Sequence, residues 1–134
     1  MGKLAGKRAL VTGASGGIGA DMARLLASKG CELVLSSRSD KALESLAAEI
    51  QGEFGGEPLC VSADLSVEGE ATRLWLEASK APIDILINNA GVGLYEDLAD
   101  SDWSVVEALM QLNMRSLTEL SQRFVGLARQ RSGD

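Results

Sequence analysis

Residues 10–19 read LVTGASGGIG, an apolar run that passes straight into a turn holding four glycines in seven positions. Glycine has no Cβ, so a chain spends it where φ must be positive or where another group has to come close to the backbone. A strand that ends in such a turn and then opens a helix gathers bare N–H groups and the positive helix end at one point. An anion such as a pyrophosphate fits there. No Gly-Lys-Ser or Gly-Lys-Thr closes the turn, so it is not of the Walker type. A tight turn needing positive φ would also select glycine, so its meaning depends on what surrounds it.

What surrounds it is an alternation of strands and helices. Short apolar runs at 8–12, 32–36, 59–62 and 84–88 read as strands, and each is followed by a segment of helical period. The first helix spans 17–29, with Ile18, Met22, Leu25 and Leu26 on the inward face and Gly30 as its stop. The second runs over about 40–51, carrying Leu43, Leu46, Ala47 and Ile50, and GEFGGEP ends it. Ser66 is placed to cap the third, with Glu68 and Glu70 near its positive end and Ala71, Leu74, Trp75 and Ala78 inward. A last helix opens near Ser101 or Asp102 and reaches about Gln130. Its seam is Val106, Leu109, Asn113, Leu117, Leu120, Phe124 and Leu127. Repeated βαβ units predict an α/β fold, a parallel sheet with helices on both faces. At 134 residues the chain matches one domain, residues 1–134, able to bury a core.

Composition narrows the partners. With 13 Lys plus Arg against 19 Asp plus Glu the net charge is −6, and no basic run offers a footprint for nucleic acid or anionic lipid. No stretch approaches the apolar length of a membrane span, and MGKLAGKRALV meets glycines and lysine before any apolar signal region, so a cytoplasmic protein is expected. Cys31 and Cys60 form no CxxC pair and read as packing residues, with no metal site implied.

The spacing T-G-x-x-x-G-x-G, Thr12 to Gly19, taken with Asn88 Asn89 Ala90 Gly91 after the fourth strand, resembles the short-chain dehydrogenase/reductase family. Asp64, in SADLS, resembles that family's aspartate that bonds the adenine amino group, and Asn113 resembles the asparagine of its catalytic tetrad. The resemblance implies a Rossmann-like doubly wound sheet of order 3-2-1-4, with a nicotinamide dinucleotide crossing the carboxyl ends of strands one and four. The residues it places on the cofactor are Gly13, Ser15, Gly17, Ile18, Gly19, Ser37, Arg38, Asp64, Leu65, Asn89, Ala90 and Gly91. Each has a plainer reading. Asn88 and Asn89 can be turn formers, Asp64 can cap the third helix, and Asn113 can hold a water or a backbone carbonyl. An amide inside an apolar seam requires some bonded partner.

After the second strand come Ser36 Ser37 Arg38 Ser39, where NAD-preferring relatives place an acid toward the ribose hydroxyls. Arg38 offers a planar fork of donors to a 2′-phosphate, which points to NADP rather than NAD, unless Arg38 simply pairs with Asp40. The family's hydride transfer is assisted by a tyrosine, a lysine four residues later and an upstream serine. All three lie beyond the equivalent of the last helix, and this chain ends at RQRSGD. Its sole tyrosine, Tyr95, has Ala99 four residues on and does not match. Asp97, Asp100 and Asp102 read as capping and solvation. The expectation is therefore a chain without turnover by itself: the NADP(H)-binding portion of an oxidoreductase acting on a carbonyl or alcohol, or a non-catalytic dinucleotide binder, or a self-assembling truncated domain. Strand four, apolar on both faces, would be an edge, which predicts a homo-oligomer formed through that edge or the last helix.

Overall fold

The computed structural model describes residues 2–133. Four parallel strands, β1 (Arg8–Thr12), β2 (Glu32–Ser37), β3 (Leu59–Ser62) and β4 (Ile85–Ile87), form one sheet of order β3-β2-β1-β4. The crossovers carry α1 (Gly17–Ser28), α2 (Asp40–Phe54) and α3 (Glu70–Ala78). After β4 a loop and a short 3-10 turn lead into a helical stretch. It comprises α4 (Trp103–Met110), a wide π-helical segment (Gln111–Ser116) and α5 (Leu117–Ser132).

Strand alternation divides the core in two. Ala9, Val11, Leu33 and Leu35 face α1 and α2, meeting Ala20, Ala23, Leu26, Leu43, Leu46 and Ile50. Leu10, Val34 and Val61 face the other way, onto Ala71, Leu74, Trp75 and Ala78 of α3 and Leu120 of α5. Both faces of β1 and β2 are therefore covered, as a parallel sheet requires. β4 is covered less completely: Ile85, Leu86 and Ile87 are half-buried.

Four local expectations are corrected. On α1 the inward face is Gly19, Ala20, Ala23, Leu26 and Ala27, while Ile18 is 73% and Leu25 53% exposed. The apolar period fits two phases one residue apart, and the phase with small side chains lets the helix approach β1 closely. Ser66 does not cap α3, which begins at Glu70 after Gly69 in the left-handed region (φ 88°). Ser66 instead bonds the Asp64 carboxylate through its N–H and hydroxyl, closing the loop before the helix starts. The seam of the last helix breaks at the π-helical segment: Leu117 is 38% exposed, and Ser116 turns inward at 1%. The capping role of the acidic loop also fails, because Asp97 and Asp102 precede their helices without side-chain cap bonds.

Asp84, just before β4, ties that strand to the start of β1 and the last turn of α5. Its Oδ2 accepts from the Arg8 backbone N–H at 2.9 Å, and its Oδ1 from the Arg131 guanidinium at 2.7 Å. These two bonds, that of Arg8 the stronger influence, hold its carboxyl below the usual aspartate range. Glu70 is lowered likewise by Arg73, and Glu49 by Arg24. A carboxyl lowered in the fold takes up a proton less readily there than in the unfolded chain. Stability is then complete above the unfolded value, about 4, and is lost as pH falls through the lower native values. Thermal midpoints should accordingly drop below about pH 4. Asp84→Asn should lower the midpoint near neutrality and flatten part of the acid fall; a profile parallel to wild type would remove Asp84 as a source.

Candidate functional site

The carboxyl ends of β1 and β4 are stitched together by side chains. Thr12 Oγ1 donates to the Ile87 carbonyl at 3.3 Å and accepts from the backbone N–H groups of Asn89 and Ala90, both at 3.1 Å. Asn89 Nδ2 returns a bond to the Gly13 carbonyl at 3.1 Å. The turn after β1 and the loop after β4 thus touch backbone to backbone. A Cβ on Gly13, whose φ is +62°, would come within 2.9 Å of the Ala90 Cα and N, and one on Gly19 would collide with the Gly13 carbonyl oxygen. Those two glycines are dictated by close approach.

Above this junction opens a cleft of about 840 Å³. Its floor and walls include Gly13 and Ser15 from the turn, Ser36, Ser37 and Arg38 from the end of β2, Asp64 and Leu65 after β3, and Ala90, Gly91 and Val92 after β4. Of the expected site residues the structure brings Gly13, Ser15, Ser37, Arg38, Asp64, Leu65, Ala90 and Gly91 to this one cleft. It does not bring Gly17, Ile18, Gly19, Asn89 or Asn113 to the lining. Gly17 and Ile18 sit exposed in the first turn of α1, Gly19 packs beneath it, and Asn89 is engaged with Gly13. Asn113 is turned onto the loop after β4. Its Oδ1 accepts from the Val92 N–H at 3.0 Å and its Nδ2 donates to the Val92 carbonyl at 2.6 Å, so the amide has the bonded partner its place in the seam required.

The electrostatics favour an anion at the turn. α1 starts without a side-chain cap bond and without an acidic residue in its first turn, which leaves the positive end of its dipole to other partners. Gly16 and Gly17 have open space where a Cβ would stand. Arg38 is exposed and is the one cation among the described lining residues. Among the described residues its guanidinium forms no ion pair, and Asp40 is not its partner. Ser37, 8% exposed, bonds the Ser39 backbone. On Asp64, Oδ1 is taken by Ser66, and the backbone N–H donates to Glu70 Oε1 at 3.3 Å. The carboxylate therefore shapes its own loop and does not cap α3.

Several contributors carry no clear sequence signal. Thr12 belongs to the glycine motif, yet its bonds to β4 depend on a pairing that only the sheet order reveals. Ser36, 1% exposed, lines the cleft with a buried hydroxyl that has no hydrogen-bond partner among the described residues, an arrangement that costs on the order of 1–3 kcal/mol. The far wall comes from Ser104, Val105, Ala108, Leu109 and Leu112, which read in sequence as part of a helix of unknown direction. Neither cysteine enters the site. Burial pushes both thiols up, and they donate to the Leu4 and Leu43 carbonyls.

The short chain dehydrogenase family profile matches residues 7–134. Nodulation protein G of Rhizobium sp. (strain N33) is 38% identical over 127 residues, which is 91% of this chain and 49% of that protein. Carbonyl reductase [NADPH] 2 of Sus scrofa is 39% identical over 117 residues, 87% of this chain and 45% of that one. Among solved structures, a short-chain dehydrogenase from Sphingobium yanoikuyae in complex with NADPH superposes with a TM-score of 0.87 at 34% identity, covering 95% of this chain and 50% of the other. The chain spans about half the length of the curated relatives it matches.

Proposed function

The chain belongs to the short-chain dehydrogenase family, and we propose that its cleft holds a nicotinamide dinucleotide, NADP(H) in preference to NAD(H), as the cofactor-binding part of an oxidoreductase acting on a carbonyl or alcohol. The observation that carries this is the uncapped glycine turn and Arg38, which has no ion pair among the described residues, opening onto one cleft. A relative named for NADPH and a neighbour solved with it support the choice of cofactor.

Each part of the ligand has residues suited to it. Gly13 and Ser15 carry the turn to the edge of the cleft, and the exposed Gly17 and Ile18 N–H groups at the start of α1 suit the pyrophosphate, where anion and helix dipole attract, with Gly19 packed beneath them. Arg38 and Ser37 suit a 2′-phosphate, the arginine through charge-assisted bonds. Asp64 and Leu65 suit the adenine end and Ala90 and Gly91 the nicotinamide end, while Asn89 holds that last loop to Gly13. A bound nicotinamide ring would supply or accept a hydride. Asn113 fixes the loop beside that ring through Val92. General acid/base work needs a group of suitable pKa at the reacting oxygen, and the single tyrosine of this chain, Tyr95, is 99% exposed. That observation favours a second reading, dinucleotide binding without turnover by this chain itself.

Calorimetric titration should show saturable NADPH binding that is tighter than NADH binding. Arg38→Ala should weaken NADPH by about tenfold or more, the scale of a charge-assisted bond, and leave NADH nearly unchanged. An unaltered ratio of the two affinities would remove Arg38 from the site.

A second copy of the chain is the expected partner. Trp103 (67%), Met114 (58%) and Val125 (55%) leave apolar surface exposed along the helical stretch, and β4 is the sheet edge. Sedimentation at micromolar concentration should show species larger than a monomer, reduced by Met114→Glu if the helices meet. A stable monomer at high micromolar concentration contradicts the pairing.

A further inference from the structure

Gln111–Ser116 forms a wide turn inside an otherwise α-helical stretch, and two of its side chains hold opposite lips of the cleft. Ser116 Oγ donates to the Leu65 carbonyl at 2.6 Å, on the lip that follows β3, and accepts from Gln111 Nε2 at 3.4 Å. Asn113 grips the N–H and carbonyl of Val92, on the lip that follows β4. Gly91 stands against the same amide, since a Cβ there would lie 3.1 Å from Asn113 Oδ1.

A regular α-helix could not make this set of contacts. At about 100° per residue, positions three apart lie about 60° apart around the axis, and positions five apart about 140°. Asn113 and Ser116 would then lean toward one side, and Gln111 would face away from Ser116. The wider turn, with its i to i+5 bonding, spreads the first pair toward the two lips and brings the second pair together. Such segments occur frequently at functional sites. Here the distortion has an identifiable product, one helix fastened to both loops.

We propose that Ser116 is a positioning residue of the dinucleotide site, acting through the Leu65 carbonyl, and that the wide turn makes Ser116 and Asn113 a single clasp on both lips; this rests on the dinucleotide assignment above. Ser116 does not line the cleft and is 1% exposed, so its influence on a ligand passes through residues 63–66. Removing its hydroxyl leaves the Leu65 carbonyl without that bond and frees the Gln111 amide. The turn then loses its fastening, and with it the angle at which Asn113 meets Val92.

The test combines NADPH titration with amide hydrogen exchange on the full chain, wild type and Ser116→Ala. The mutation should weaken NADPH binding roughly threefold to tenfold, the usual range for one hydrogen bond. Exchange should quicken at 63–66 and also at 90–93 in the ligand-free chain, and Ser116→Cys, of similar size with a weak donor, should restore part of both. Faster exchange at 63–66 alone, with affinity and 90–93 unchanged, overturns the clasp. If wild type fails to bind NADPH, the dinucleotide assignment falls, while exchange at both lips still decides whether the clasp exists. Should Ser116→Ala not fold, Gln111→Ala replaces it: a smaller quickening at both lips supports the clasp, and no change at either overturns it.

Discussion

The contact on which the rest depends is the close approach of the turn after β1 to the loop after β4. Thr12 bonds three backbone groups of the β4 end, Asn89 bonds back to Gly13, and neither Gly13 nor Gly19 has room for a Cβ. The sheet order puts β4 beside β1 across the reversal of direction, and from that point the connections leave toward opposite faces of the sheet, with a crevice between them. Without the side-chain stitching the crevice would have no fixed floor. Turn, loop and cleft are consequences of one packing solution.

Much of this was legible in the sequence because period and punctuation agree there. The limits of β1 and β3 follow from apolar runs bounded by polar residues, and the glycine motif marks the first βα turn whatever its ligand. Coarse order and the location of the cleft follow from those elements together with the resemblance. What the sequence concealed has physical causes. Ile18 and Leu25 looked like core residues because two helical phases one residue apart both fit, and only the need to approach β1 closely selects the alanine face. Ser66 looked like a cap because serine caps helices, but the Asp64 carboxylate claims it first. Leu117 looked like a seam residue because a regular period was assumed, and the wide turn hands its place to Ser116.

Asn113 shows how a functional pattern and a structural role coincide. Its amide bonds both the N–H and the carbonyl of Val92, so it shapes the loop after β4 whether or not chemistry follows. Asp64 likewise bonds its own loop while bordering the cleft. In both cases the side chain organises backbone, and backbone presents the surface on which a ligand would rest. Preorganisation of this kind lowers the ordering cost of binding.

The most direct test of the central claim, that the β1 and β4 ends build one dinucleotide cleft, is a map of backbone amide resonances as NADPH is added. Shifts concentrated at residues 13–19, 37–38, 64–65 and 90–92 are expected, reaching both sides of the glycine turn at the same ligand concentration. Shifts confined to one side, or scattered over the outer faces of α2 and α3, would contradict it.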